Sequence, residues 1–443
     1  MKIRFVTLGC KLNFAESSAI GRELLSQGHT RASLTDVPDI CVINTCSVTD
    51  AADHKDRQTI NKLHRKYPNA IMIVTGCYAQ LQPEQISKIE GVDYVLGQNE
   101  KYDIPALVQA LECRISDRAN ALVDRFAEVS VCAIREVEEF HGVHSGDDRT
   151  RCFIKVQDGC DYFCTYCTIP YARGKSRNPR ISEIVSQAQQ ALAEGAKELI
   201  LTGVNIGDFG KSTGEAFLDL LKALDEAYPH PLPEEKGDTS HLSAQTSDYR
   251  IRISSCEPNL LTNEVIDFVA ESKHFAPHFH IPLQSGSNEV LKIMKRRYTR
   301  ELFAERVRHI HEKMPHAFIG VDCMVGVRGE TNEYWEDYLN FIKQLDVSQL
   351  HVFTYSERAN TRMLEMPLYV VPKAERQRRS KIMHEVSEEK TKAFYAQQAG
   401  REAVVLWESK KEGNMMAGFT ENYVKVYRPY EKEKVNTFEV IRV

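Results

Sequence analysis

Most of this chain alternates short apolar runs with stretches of helical period, and that alternation restricts it to folds built from β/α units. In the first 115 residues the runs IRFVTL, ICVINT, AIMIVTG and YVLG are separated by segments such as ESSAIGRELLSQG, whose Ile20 and Leu24 lie one helical turn apart. This pattern predicts an open parallel sheet with helices on its faces. Residues 114–150 lose the period and end in HGVHSGDDRT, so 116–145 reads as a linker with a boundary near 146. From 151 the alternation returns, with RCFIKV, ELILT, RIRIS, HFHI, FIGVDCMV and HVFTY as strands and Gly195 stopping the helix ISEIVSQAQQALAEG. Six such units over 146–375 predict a partial β/α barrel. The polar, Pro-containing stretch HPLPEEKGDTSHLSAQTSD, after a helix ending near Tyr228, reads as a surface insertion. Beyond a long helical run, EAVVLW, NYVKVY and FEVIRV, punctuated by Gly413 and Gly418, predict a small C-terminal β-barrel within 376–443. The expected fold class is therefore α/β, with an amino-terminal sheet domain, a partial (β/α)6 barrel and a terminal β-barrel.

Composition narrows the function. With 42% hydrophobic and 27% charged residues in 443, the chain suits a globular protein and not a disordered one. No apolar run reaches the roughly 18 residues of a membrane span, and the start MKIRFVTLGC enters a strand without a secretory signal, so a cytoplasmic protein with no membrane partner is expected. The net charge of -5 excludes a globally basic nucleic-acid binder. From Pro372 to Val443, however, 15 Lys and Arg face 11 Asp and Glu, an asymmetry that points to local RNA contact at the C-terminal end.

Twelve cysteines in a chain of this size point to metal or redox chemistry more than to a disulfide scaffold. One group is tight: DGCDYFCTYCTIPYARG places Cys160, Cys164 and Cys167 just after the strand RCFIKV, at the strand end where β/α barrels keep their active sites. Three thiolates are one too few for a closed zinc or [4Fe-4S] site, so a cluster here leaves one iron open. A zinc knuckle completed by a distant His, or three unrelated buried cysteines, are the alternatives.

The motif resembles the radical S-adenosylmethionine signature. That resemblance implies a [4Fe-4S] cluster on Cys160, Cys164 and Cys167, whose free iron chelates S-adenosylmethionine and whose reduction yields a 5'-deoxyadenosyl radical. It also implies that Tyr166 lies beside the adenine.

Cys10, Cys46 and Cys77 each fall just past a predicted strand, and strand ends of an open parallel sheet converge on one crevice. They form a candidate second three-thiolate set. The strings TLGCKLNFAES, NTCSVTD and TGCYAQ resemble the amino-terminal domain of the methylthiotransferases, radical enzymes with a second [4Fe-4S] cluster as sulfur donor. The resemblance spans nearly the whole chain, including a terminal barrel like the RNA-binding TRAM domain. Through RGKSRNPR, LTGVNIG, RISSCEP, HIPLQSGSNEVLKIMKRRYTR and DCMVGVRGET it implies cofactor- or substrate-facing roles for Arg173, Asn205, Ser255, Glu257, Gln284, Ser285 and Asp322. One departure stands out: the family usually has Phe-Pro between two glycines where this chain has Gly326-Val327-Arg328-Gly329, which leaves that turn's conformation open. Cys41, Cys113, Cys132, Cys152, Cys256 and Cys323 match no ligand position and read as inert thiols.

The resemblance implies that one S-adenosylmethionine methylates sulfur on the Cys10, Cys46, Cys77 cluster while a second is cleaved at the other. GCKLN in place of a GCQMN-like string is most similar to the subgroup that converts N6-threonylcarbamoyladenosine at tRNA position 37 to its 2-methylthio form. The implied partners are a tRNA anticodon loop, a low-potential electron donor and an iron–sulfur or sulfur supply system. Sister subgroups act on isopentenyladenosine or on an aspartate of a small-subunit ribosomal protein. A two-cluster redox protein that binds RNA without turnover is the non-enzymatic alternative. Lys292, Lys295, Arg296, Arg297 and Arg300 around Tyr298 read either as an anchor for the RNA backbone or as a solvated basic helix.

Overall fold

The computed structural model describes residues 1–115, 127–146, 150–227 and 249–443. The expected surface insertion lies almost wholly outside them, as does the side chain of Cys113. Five amino-terminal strands, β1 (Lys2–Thr7), β2 (Thr30–Arg31), β3 (Ile40–Thr45), β4 (Ile71–Gly76) and β5 (Tyr94–Leu96), form a parallel sheet that a sixth, β6 (Glu128–Ser130), extends in the order β2-β1-β3-β4-β5-β6. Every residue of β3 and β4 is buried, as continuous apolar runs require of strands covered on both faces. β6 comes from the stretch expected to be only a linker. Its three residues are exposed and pair with β5 at one edge, so no hydrophobic period announced it.

The second layer is a parallel array of β7 (Arg151–Lys155), β8 (Glu198–Thr202), β9 (Arg250–Ile253), β10 (His278–Gln284), β11 (Phe318–Val325) and β12 (Gln349–Thr354), matching the six expected strands. Two three-stranded ladders, β7-β8-β9 and β10-β11-β12, meet through the single parallel bridges Ile251 to Phe275 and Ser255 to His280. Leu199, Leu201, Ile251, Ile253, Val321 and Cys323 face outward into the main core under the helices. Alternation therefore turns Glu198, Arg252 and Asp322 into the barrel interior. Several helices start where a threonine satisfies an orphan amide: Thr262, Thr299 and Thr331 accept from the backbone N–H of Val265, Leu302 and Tyr334.

No ladder joins β7 to β12 among the described residues. The helix Lys11–Ser26 of the sheet domain lies against β7 instead, with Phe14 edge-on to Phe153 at 5.9 Å. The helix Lys373–Gln398 packs on β12, where Ser387 Oγ both donates to the Leu350 carbonyl and accepts from its N–H. It leads to an antiparallel sheet of β13 (Glu402–Glu412), β14 (Met415–Thr420), β15 (Lys425–Pro429) and β16 (Phe438–Arg442), in the order β15-β14-β13-β16, with Val405, Trp407 and Met416 buried on one face as a small barrel requires. Its turn at Thr420–Val424 is inserted beneath the β/α barrel: the Tyr423 hydroxyl accepts from Arg151 at 3.1 Å, and its ring lies 4.9 Å from Arg252 and 4.9 Å from His278. Several basic residues of this end are paired within it, Lys425 with Glu412, Arg428 with Glu431 and Glu439, and Arg401 with Glu421, pairings that leave its net basic excess unchanged.

Candidate active site

The loop after β7 carries Cys160, Cys164 and Cys167 into one wall of a pocket at the carboxyl ends of the barrel strands. Its course is fixed by backbone and hydroxyl bonds. The Cys160 N–H donates to Gly174 O at 3.0 Å, the Thr165 N–H to Met294 O at 3.2 Å, and Thr165 Oγ1 to Ile293 O at 2.9 Å. Burial pushes the Cys160 thiol up to about 12, and burial followed by the nearby Cys164 raises that of Cys167. Crowded, desolvated thiols of this kind ionise when a cation takes the charge.

Tyr166, Asn205, Ser255, Glu257, Gln284 and Asp322 line the same pocket. Among the described residues neither amide atom of buried Asn205 meets a hydrogen-bond partner, and neither does the buried Oε1 of Gln284, a residue held at φ +64°. Orphaned polar atoms around a thiol triad fit a polar ligand seated beside a cluster. Among the described residues no three His, Cys, Asp or Glu side chains are arranged to hold a single metal ion.

Two expected residues do not reach the pocket. Ser285 is fully buried, its Oγ accepting from the Ser287 N–H at 3.2 Å. Arg173, 1% exposed, is bound between the domains to Asp158 at 2.9 Å, Glu16 at 3.1 Å and Asn13 Oδ1 at 2.6 Å. Lys155 and Lys101 complete this buried network on Glu16, and although burial alone would raise the Glu16 carboxyl, Arg173 and the two lysines hold it well below the usual range.

Arg296 enters the pocket unexpectedly. At the end of the helix Asn288–Ile293, Lys295 takes φ +57° and the Arg296 N–H returns to Leu291 O at 2.9 Å, a left-handed cap that turns the next side chain inward. Arg296 pairs with Glu257 and donates to Cys164 Sγ at 3.2 Å and Tyr166 Oη at 3.4 Å, so it is no RNA anchor. Lys292 and Arg300 are paired with Glu289 and Asp337, while Tyr298 donates to the Pro282 and Leu283 carbonyls. The open turn is settled too: Gly326 and Gly329 are both left-handed, Val327 is buried with Met294 and Tyr355, and Arg328 pairs with Glu357.

Cys10, Cys46 and Cys77 follow β1, β3 and β4, three adjacent strands paired Thr7 to Asn44 and Thr45 to Gly76. Two glycines allow the approach. A Cβ on Gly9, at φ +94°, would stand 2.8 Å from Cys46 Sγ, and one on Gly76, at φ +101°, 2.4 Å from Thr45 O. Burial, then Cys77, pushes the Cys46 thiol up to about 12; Cys10 is exposed. Gln98 Nε2 donates to Cys77 Sγ at 3.1 Å. Asn13 Nδ2 donates to the carbonyls of Leu8 at 3.0 Å and Thr45 at 2.9 Å, tying together the loops of Cys10 and Cys46. Past Cys46, Val48 and Thr49 wall the barrel pocket itself, and Arg358 fixes that loop through Ser47 Oγ at 2.6 Å and Asp53 at 2.7 Å. All the described cysteines are free thiols, with Cys41, Cys152, Cys256 and Cys323 buried and Cys132 half-buried.

Residues 154–342 match the Radical SAM superfamily, and residues 2–97 match the uncharacterized protein family UPF0004. Threonylcarbamoyladenosine tRNA methylthiotransferase MtaB of Bacillus subtilis is 35% identical over 436 residues, covering 96% of this chain and 89% of its own. Its namesake from Aquifex aeolicus is 34% identical, with 98% of each chain covered. A tRNA-2-methylthio-N(6)-dimethylallyladenosine synthase of Bacillus pumilus is 29% identical, over 99% of this chain and 82% of its own. Among solved structures, the radical S-adenosylmethionine methyltransferase TsrM of Kitasatospora setae superposes with a TM-score of 0.57 at 15% identity, over 82% of this chain and 76% of that one, a likeness of fold. Among the described residues no helix is long and apolar enough to cross a membrane.

Proposed function

The chain belongs to the tRNA methylthiotransferase family of radical S-adenosylmethionine enzymes, and from that membership we propose that it converts N6-threonylcarbamoyladenosine at tRNA position 37 to its 2-methylthio derivative. The observation that carries this reading is the shared pocket: Val48 and Thr49, just past Cys46, line it together with Cys160, Cys164 and Cys167. A sulfur source on one cysteine set and a radical source on the other then act on one base.

In this reading Cys160, Cys164 and Cys167 hold one [4Fe-4S] cluster and Cys10, Cys46 and Cys77 the other. A cluster with S-adenosylmethionine supplies a carbon radical able to take hydrogen from an unactivated C–H bond, a task beyond side-chain acids and bases. The chain's residues position the reactants. Tyr166 would lie beside the adenine of the cofactor, while Asn205, Ser255, Glu257, Gln284 and Asp322, which line the same pocket, would offer it hydrogen bonds. Arg296 holds Glu257 and the sulfur of Cys164 in place. Arg173 and Ser285 support the site from outside. A base splayed from an anticodon loop reaches such a pocket, whereas a duplex base does not. A low-potential electron donor and an iron–sulfur supply are the partners this chemistry needs.

Nucleoside mass spectrometry of tRNA from cells lacking the protein, and from cells with it restored, tests the reading. Loss and return of the 2-methylthio form of threonylcarbamoyladenosine is expected. Loss of the 2-methylthio form of dimethylallyladenosine instead would move the substrate to the sister subgroup, and unchanged tRNA would exclude tRNA as substrate.

A further inference from the structure

The helix Asp50–Lys66 begins at the mouth of the reaction pocket. Thr49, which lines that pocket, caps the helix by accepting from the Ala52 N–H at 3.1 Å, and the Asp50 N–H donates to Oγ of Ser356, another pocket residue, at 3.3 Å. From there the helix runs back over the sheet, with Ile60 and Leu63 in one core with Ile43, Met72 and Val74. Its 17 residues extend about 25 Å from the pocket mouth.

The charges of this helix are sorted by sign. Asp53 and Asp56 are buried: Asp53 accepts from Ser47 Oγ at 2.8 Å and pairs with Arg358, and Asp56 accepts from the Cys46 N–H at 2.9 Å. Past Asp50, the charged side chains left exposed are Lys55, Lys62, Arg65 and Lys66, with no carboxylate among them. Lys55, Lys62 and Lys66 recur at i, i+7 and i+11, one stripe of a helix. Lys62, Arg65 and Lys66 line a surface depression with the amides of Gln58 and Asn61. Among the described residues Lys55, Lys62 and Arg65 form no ion pair. In a chain of net charge -5, a solvated helix face ordinarily mixes signs. A row of free cations with amides between them complements a regularly charged polyanion, such as a phosphate backbone.

The lip of the pocket favours RNA over an acidic protein. Val48, 51% exposed, and Phe353, 38% exposed, both line the pocket and offer apolar surface on which an entering base stacks. A base at position 37 stands at the stem side of its loop. Seating it in the pocket carries the adjoining stem phosphates past the mouth, where this helix starts.

We propose that the outer face of the helix Asp50–Lys66, through Lys55, Lys62 and Arg65, binds the phosphate backbone of the anticodon stem. The inference rests on the tRNA reading above. It divides the labour within one segment: the inward acids hold the loop of Cys46, and the outward cations hold the RNA.

The test is binding of two RNAs to the cluster-loaded full-length chain: an anticodon stem-loop with N6-threonylcarbamoyladenosine at position 37, and the same loop alone as a linear oligonucleotide. Wild-type protein is expected to bind the stem-loop about tenfold to a hundredfold tighter. Lys55→Gln, Lys62→Gln and Arg65→Gln combined should remove most of that gain and lower the slope of log affinity against log salt by about one per contact. Binding of the loop should be unchanged, which a misfolded variant cannot achieve. Lys222→Gln with Lys343→Gln, exposed lysines on helices Phe217–Asp225 and Asn332–Gln344 of the barrel, should bind the stem-loop as wild type does. Stem-loop binding untouched by the triple substitution, or weakened as much by the barrel pair, overturns the role of the helix while the substrate reading stands. So does a triple variant that binds RNA normally but accepts electrons more slowly from an acidic flavoprotein, which would assign the face to a protein partner. Wild-type protein that binds neither RNA would overturn the tRNA reading as well.

Discussion

Arg173 of the barrel donates to Oδ1 of Asn13 of the sheet domain at 2.6 Å, and the same Asn13 side chain holds the loops of Cys10 and Cys46 together. The second cysteine set is therefore braced from the domain that carries the first. Asn13→Ala strands two carbonyls and the Arg173 fork, which should cost about 2–4 kcal/mol by thermal melting. Arg173→Met leaves Glu16 and Asp158 short of a partner and should cost about 3–5 kcal/mol. Iron analysis of reconstituted Asn13→Ala should show loss confined to one cluster; full iron content would refute the bracing.

The two cysteine sets should separate in function. Cys160→Ala, Cys164→Ala and Cys167→Ala are each expected to abolish anaerobic formation of 5'-deoxyadenosine. Cys10→Ala, Cys46→Ala and Cys77→Ala should retain that reaction, lose about half of the iron and make no methylthio product. Normal thiolation by Cys46→Ala would end the two-cluster assignment.

Acid should weaken the barrel through Glu198. Burial alone would raise this carboxyl, but Arg250 and Arg252 overcome it and hold the group well below the usual range. A depressed folded-state value means the stabilisation is complete above the unfolded value near pH 4 and is lost as pH falls towards the folded value. Urea titrations of wild-type protein and Glu198→Gln should therefore differ by a constant amount above pH 5, about 3–5 kcal/mol, and by progressively less as pH falls from 4 towards the folded-state value. A constant difference at every pH would assign the effect to packing.

Arg296 brings a cation to 3.2 Å from Cys164 Sγ. Removing positive charge beside a cluster disfavours its reduced, more negative state, so Arg296→Met should lower the midpoint potential of the cluster on Cys160, Cys164 and Cys167. An anaerobic redox titration followed by electron paramagnetic resonance measures it. An unchanged potential with altered S-adenosylmethionine affinity would confine Arg296 to orienting Glu257.

The strands were legible because covered parallel strands such as ICVINT and AIMIVTG must be apolar throughout. β6 was not, since the exposed triplet Glu128–Ser130 carries no period. Local spacing grouped Cys160, Cys164 and Cys167, which line one pocket, and shared strand ends grouped Cys10, Cys46 and Cys77, which follow three adjacent strands. Arg173 was read towards the pocket because its partner Glu16 lies 157 residues away, a pairing no local pattern encodes. Arg296 lay hidden in a basic run, since its inward turn depends on the left-handed Lys295 and on a buried Glu257 from another strand end. The turn without Phe-Pro keeps its shape through Gly326 and Gly329, with Val327 as the plug.

The turn carrying Tyr423 lies against Arg151, Arg252, His278 and Phe318, at the end of the barrel away from the cysteines. The C-terminal module is thus a stopper in the reaction vessel and not a handle hung beside it. A chain cut short of Tyr423 would leak: water would enter from below the lumen, where a carbon radical needs dryness.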